Sequence, residues 1–176
     1  GLLISVIFAN AQCWSKLSVN THSVAIKSDG TLWTWGHNSQ GQLGDGTTVN
    51  KLIPIQIGTS TNWAQVAAGD EFTMAIKTDG TLWGWGLNIN GALGDGTNIN
   101  KTVPTQIGTA NNWAKVSGGA WYTIAIKTDG TLWSWGYNFH GQLGNGTTID
   151  SNVPGQVGTA NNWSQIAARE HALAIK

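Results

Sequence analysis

The phrase Asp-Gly-Thr-Leu-Trp-x-Trp-Gly fills residues 29–36 and returns at 79–86 and 129–136. Only the residue between the two tryptophans changes, from Thr34 to Gly84 to Ser134. A spacing of 50 residues, kept twice without slippage, means that one structural unit is built three times. The surroundings repeat with it. Ala-Ile-Lys stands at 25–27, 75–77 and 125–127, and again at 174–176. The Trp of an Asn-Trp pair recurs as Trp63, Trp113 and Trp163. Three copies are complete; a fourth begins at Trp163 and stops midway.

Each copy reads as β-strands. In Phe-Thr-Met-Ala-Ile-Lys-Thr-Asp-Gly-Thr-Leu-Trp-Gly-Trp-Gly, residues 72–86, two alternating runs flank Asp79-Gly80. An Asp-Gly pair in that setting signals a hairpin, and a type I′ turn is expected. Alternation places Thr81, Trp83 and Trp85 on one face of their strand. It also puts Phe72, Met74 and Ile76 on one face of the partner strand and the small Thr73 and Ala75 on the other. A small sheet apolar on both faces must be sandwiched, and stacking such sheets about an axis gives a β-propeller. The residues around Trp63 supply an inner strand. Those around Pro104 supply an outer one, where a missing N–H is tolerated. No segment keeps a helical period. The reading is therefore all-β, with blades of four antiparallel strands at about 14–62, 63–112 and 113–162 and a partial one at 163–176. The tryptophans are expected to be the apolar filling between blades. Carbohydrate or light capture is the alternative for so many indoles. Repeated glycines such as Gly36, Gly41, Gly44 and Gly46 mark turns or close approaches.

Composition limits the function. Charged residues are 10% of the chain and sum to zero, so no long-range field draws nucleic acid or an anionic membrane. One cysteine, Cys13, cannot form an internal disulfide, and no Cys/His spacing fits zinc. The Gly-Asp-Gly-Thr loops at 44–47 and 94–97 lack the recurring carboxylates of a calcium cage and read as tight turns. No cofactor and no metal are expected. Residues 2–8 are uninterruptedly apolar and precede Ala9-Asn10-Ala11, as the core and cleavage site of an export signal do. Residues 1–11 are read as the remnant of such a signal, ahead of an incomplete repeat domain at 12–176; a short buried strand is the alternative. No stretch is long enough to cross a bilayer as a helix.

The stretch Asp-Gly-Thr-Leu-Trp-x-Trp-Gly-x-Asn-x-x-Gly-x-Leu-Gly-x-Gly-Thr strongly resembles the repeat of the regulator of chromosome condensation family. The match runs from Gly30 to Gly46, Gly80 to Gly96 and Gly130 to Gly146. The resemblance implies a propeller, usually seven-bladed, of which this chain would be an open arc and a piece of a longer protein. Similar repeats occur in long secreted bacterial proteins. The first and last copies depart from the pattern. They are one residue shorter before Ala-Ile-Lys and lack the glycine present as Gly69 and Gly119, so their inner strands are expected to be distorted.

The resemblance implies several activities. Guanine nucleotide exchange on a small GTPase is one, but this chain has no insertion and no basic tail. Photoreception through inner-strand tryptophans is another, and only Trp121 falls near that position. Inhibition of an enzyme by loops of one propeller face suits a neutral, exported chain best. Catalysis is not expected: no arrangement of Ser, His, Lys or paired carboxylates matches a known nucleophile or acid–base motif. The four histidines, His22, His37, His140 and His171, read as surface residues. Positions that vary between copies are the ones free to bind. In the loop after Trp-Gly these are His37 and Gln40, Leu87 and Asn90, then Tyr137, Phe139 and His140. Before Ala-Ile-Lys they are Asp70 and Glu71, then Trp121 and Tyr122. The expectation is a non-catalytic scaffold for a protein partner, secreted or at a bacterial surface, with self-association of the isolated chain. A purely structural or display module is the alternative.

Overall fold

The computed structural model describes residues 13–176. The apolar run at 2–8 and Ala9-Asn10-Ala11 lie outside the described residues. The first sheet holds β1 (Trp14–Val19), β2 (His22–Lys27), β3 (Leu32–Gly36) and β4 (Lys51–Gln56). The second holds β5 (Trp63–Ala68), β6 (Phe72–Lys77), β7 (Leu82–Gly86) and β8 (Lys101–Gln106). The third holds β9 (Trp113–Gly118), β10 (Tyr122–Lys127), β11 (Leu132–Gly136) and β12 (Ser151–Gln156). Each is an antiparallel meander in chain order. A fourth sheet has two strands, β13 (Gln165–Ala168) and β14 (Ala172–Ile175). The inner strands β1, β5, β9 and β13 touch in succession. The described residues contain no helix.

The Asp-Gly hairpin is not the type I′ turn expected. The Gly30 N–H donates to the Lys27 carbonyl at 2.9 Å, and the Lys27 N–H donates to the Thr31 carbonyl at 3.0 Å. Gly30 has a φ of 80°, and no described non-glycine residue has a positive φ. This is a four-residue turn closed by a glycine bulge, a common three-residue hairpin loop. Asp29 is held in place by its own side chain, which accepts from the Thr31 N–H at 3.0 Å and the Thr31 hydroxyl at 2.6 Å. Thr31 in turn accepts the Trp33 indole N–H at 2.9 Å. The same relay recurs at Trp83 and Trp133. Asp, Thr and the first Trp of the phrase are thus one hydrogen-bonded unit, and Lys27, Lys77 and Lys127 lie over the three indoles.

The second Trp of the phrase is the one fully enclosed between blades; the first packs at the margin of the same clusters. Trp85 and Trp135 are fully buried. Trp85 packs among Val24, Ile26, Leu32 and Ile57 of the preceding blade. Trp135 packs among Met74, Ile76, Leu82 and Ile107. Register decides how the faces fill: Ala75 lies opposite Trp83 and Thr73 opposite Trp85, while Met74 faces Gly84. Both faces of a blade are therefore mixed: small residues lie across from the two indoles and from Met74, while Ile76 and Leu82 pair as two large side chains. This replaces the expected division into one bulky and one small face. Gly44 and Gly94 are required where the indole edge meets the backbone. A Cβ at Gly44 would come within 2.8 Å of Trp85 Nε1, and one at Gly94 within 2.6 Å of Trp135 Nε1.

The shortened copies do not distort their inner strands. Between Lys16 and Val19 the β1–β2 register is continuous, as it is between Gln165 and Ala168 in β13–β14. The missing residue is taken from the turn. Gly69 N–H donates to the Phe72 carbonyl, three residues on, whereas Asn20 N–H donates to the His22 carbonyl, two residues on. The longer turn folds back over a ring, and a Cβ at Gly69 would lie 2.1 Å from Phe72. The tighter turn has no such contact and can dispense with glycine.

Candidate functional site

The β1–β2, β5–β6 and β9–β10 turns open on the same end of the blades as the long loops at 37–50, 87–100 and 137–150. Strand pairing requires this, since His22 lies opposite Gly36 and Tyr122 opposite Gly136. Main-chain bonds tie each turn to its loop. Leu87 N–H donates to the Glu71 carbonyl at 2.8 Å, and Tyr137 N–H to the Trp121 carbonyl at 2.9 Å. Every position singled out as variable, except Tyr122, therefore falls in the turns and loops of one end of the molecule.

Each long loop is built around a buried asparagine that the comparison of variable positions could not reveal. Asn38 is fully buried. Its Nδ2 donates to Asp45 Oδ1 at 3.1 Å and to the carbonyls of Thr47 and Val49 at 3.0 and 3.1 Å. Its Oδ1 accepts the Leu43 N–H at 2.9 Å. Asn88 and Asn138 do the same. The signal was available, since this polar residue recurs unchanged in every copy. Burial alone would raise the Asp45 carboxyl, but hydrogen bonds from Lys51, Thr47 and Asn38 hold it below the usual carboxylate range. Lys51 Nζ lies 2.9 Å away. In the third copy Asn145 and Ser151 replace both members of the pair. The Gly-Asp-Gly-Thr carboxylates are therefore committed to the loop, as a tight turn requires. Among the described residues no group of His, Cys, Asp and Glu is placed to hold a metal.

On this frame the eleven expected residues separate. Asp70, Gln40 and Asn90 clasp blades together. Asp70 Oδ1 accepts from Asn20 Nδ2 at 2.8 Å, and its carbonyl accepts from the Thr21 hydroxyl. Gln40 Oε1 accepts from Asn100 Nδ2 at 2.9 Å, and Asn90 Nδ2 donates to Asp150 at 3.1 Å. Tyr122 is a correction: it begins β10, is 1% exposed and packs with Ile124 and Leu143, because its turn folds the ring inward. His22, read as a surface residue, is also buried. His37, Glu71 and Leu87 are half-buried. His37 Nδ1 lies 3.0 Å from Gln42 Nε2.

The remaining four form one cluster. Trp121 and Tyr137 meet edge to face with centroids 5.6 Å apart. Tyr137 stacks on Phe139 at 6.4 Å with the planes 15° apart. His140 stands edge-on to Phe139 at 5.0 Å. Trp121 is 42% exposed and Phe139 67%. Aromatic rings held by each other and still open to solvent are the side chains that dominate protein–protein hot spots.

Comparison with known proteins places this architecture. The chain is similar to human WBSCR16 over 95% of its own length and 46% of that chain, with 23% identity and a TM-score of 0.82. It is similar to Prp20p of Saccharomyces cerevisiae over 90% of its length and 42% of that chain, with 21% identity and a TM-score of 0.79. It thus spans less than half the length of either. These likenesses show the fold. The family model described as the regulator of chromosome condensation (RCC1) repeat matches residues 29–76, 79–126 and 129–175, and a second RCC1 repeat model matches 63–92 and 113–142. With three consecutive matches covering most of its length, the chain belongs to the RCC1 repeat family.

Proposed function

We propose that the chain is a non-catalytic propeller scaffold that binds a protein partner through the end of the blades carrying the long loops. The observation that carries this reading is the solvent-open cluster of Trp121, Tyr137, Phe139 and His140 on the third blade. Each ring presents a large contact area at little cost in side-chain freedom, because its neighbours already fix it. The zero net charge favours a partner recognised by shape and apolar contact over one recognised by charge. Prp20p, a yeast relative by fold, has been described with respect to binding Gsp1p and histones, so this architecture supports protein recognition elsewhere. The apolar segment at 2–8 and Ala9-Asn10-Ala11 support export of the chain to a bacterial surface or medium, which recovery of the protein from the surface or extracellular fraction of its host would report.

The test is a photo-crosslinking residue at position 140, in the chain and in a Trp121→Ala/Phe139→Ala double variant. The expected result is a discrete crosslinked partner whose yield falls at least tenfold in the double variant while its melting temperature is unchanged. Equal crosslinking in both would overturn the reading and favour a display module.

A second reading concerns the chain itself. Trp14, Leu17 and Val19 of β1 are 46%, 61% and 62% exposed on the face that in later blades is covered by a neighbour. We infer that isolated copies associate through this face.

A further inference from the structure

The clasps between blades are built from amides, and one of them carries chemistry of its own. Asn precedes Gly at two places in the chain, Asn90-Gly91 and Asn145-Gly146. Glycine has no Cβ to keep its nitrogen away from a neighbouring side-chain amide, so asparagine is least durable in such pairs. At position 91 the fold itself demands glycine. Gly91 has a φ of +76°, and a Cβ there would lie 2.5 Å from Asn152 Cα. Position 90 makes no such demand for asparagine, since the other copies carry Gln40 and His140 there.

The two seams use this position in opposite senses. Between the first and second blades, Gln40 Oε1 accepts from Asn100 Nδ2 at 2.9 Å, a role that a carboxylate fills equally well. Between the second and third, Asn90 Nδ2 donates to Asp150 Oδ2 at 3.1 Å, which an ionised carboxyl cannot do. Asp150 Oδ1 accepts the Asn138 N–H at 2.7 Å. The same carboxylate therefore anchors the start of the loop that carries Tyr137, Phe139 and His140. A polar cavity of about 280 Å³, lined by Asn90, Asn98, Asp150, Ser151 and Asn152, opens beside the clasp and admits water to it.

We propose that Asn90 is a deamidation site whose product unlocks the seam between the second and third blades. The Gly91 N–H is held by the Asn88 carbonyl at 2.9 Å, so the reaction waits on opening of this turn. The freed Gly91 nitrogen then bonds to Asn90 Cγ. The Cγ–Nδ2 bond breaks, and Nδ2 leaves as ammonia with the proton from Gly91. Water opens the resulting cyclic imide at either carbonyl, giving aspartate or isoaspartate and releasing a proton. Where a donor faced Asp150, a second carboxylate now stands, and like charges that close repel. The loop at 137–150 loses its clasp, and Asp150 is drawn away from Asn138.

The experiment ages the full chain in mildly alkaline buffer and reads its peptides by tandem mass spectrometry. Conversion of amide to acid is expected at Asn90 and Asn145, and at Asn145 alone in Asn90→Gln. Asn145 is the internal clock, because its product is the residue that the other copies already carry as Asp45 and Asp95. Hydrogen exchange reads the consequence. In Asn90→Asp the Asn138 N–H should exchange at least fivefold faster than in the parent chain, and in Asn145→Asp no faster. Reversing the pair, Asn90→Asp with Asp150→Asn, should restore slow exchange, because an amide again faces an acid. Asn90 still intact once Asn145 has fully converted would overturn the proposal. So would parent-like exchange at Asn138 in Asn90→Asp, or failure of the reversed pair to restore it. Should Asn90→Asp fail to fold, the aged parent chain supplies the same exchange measurement. None of these readings needs a partner, so they stand or fall apart from the proposed binding surface.

Discussion

His22 shows how one buried side chain ties stability to pH. Thr73 spends its single hydroxyl proton on the Gln42 carbonyl at 2.8 Å. It can then only accept from His22 Nε2, 2.6 Å away, so the neutral ring carries its proton on Nε2. Its Nδ1 is buried without a partner. Burial first, and the nearby His37 second, push the His22 pKa down from 6.5 to about 4. The unfolded chain therefore binds this proton more readily than the folded one. The stability contribution is intact above pH 6.5, falls as the pH drops towards 4, and levels off below that. A difference of about 2.5 pKa units corresponds to about 3 kcal/mol at the acid limit. Phe72 and Tyr122 occupy the same place in the next two copies, each at the start of its strand. His22→Phe is expected to remove most of the loss of stability between pH 7 and pH 4. Urea melts of the two proteins across that range check it; parallel pH profiles would contradict it.

At the scale of the blade, the two tryptophans of each phrase do different work. Trp85 lies in the interface between sheets, and its N–H is satisfied across that interface by Gln42. Trp83 is half-buried and belongs to its own sheet, where it meets Trp63 edge to face at 5.9 Å and lies beneath Lys77. Trp85→Ala should therefore cost about 3–5 kcal/mol, as truncation of a fully buried aromatic does. Trp83→Ala should cost less, on the order of 2 kcal/mol, because solvent reaches part of the ring, which packs only at the margin of the cluster between the first two blades. Denaturant unfolding of the two variants tests the ranking, and equal losses would refute the division of roles.

For the whole molecule, the stacked blades leave apolar surface at both ends. At one end are Trp14, Leu17 and Val19; at the other, Leu173 and Ile175 are 62% and 59% exposed. Contiguous apolar patches beyond a few hundred Å² are uncommon on soluble monomers. Sedimentation at micromolar concentration should show species larger than a monomer, and Leu17→Lys with Val19→Lys should shift the distribution towards the monomer. A monomer for the parent chain would refute self-association through this face.

Much of this molecule was determined by its sequence alone. A phrase repeated at a fixed spacing, with alternating apolar residues around an Asp-Gly pair, leaves little but stacked four-stranded sheets, because no sheet can bury both apolar faces by itself. Alternation is a local property, so strand order and the end of the blade that carries the variable loops followed from it. Other features were decided only in three dimensions. Which Trp enters the interface depends on the register of a neighbouring blade. The roles of Asp70, Gln40 and Asn90 as clasps depend on partners 50 or 60 residues away. The burial of Tyr122 and His22 depends on how a turn folds over its strand. The aromatic cluster of Trp121, Tyr137, Phe139 and His140 exists because two loops meet at one end of the third blade. These are distances between residues remote in the chain, and a periodic pattern carries no information about them until the blades are packed.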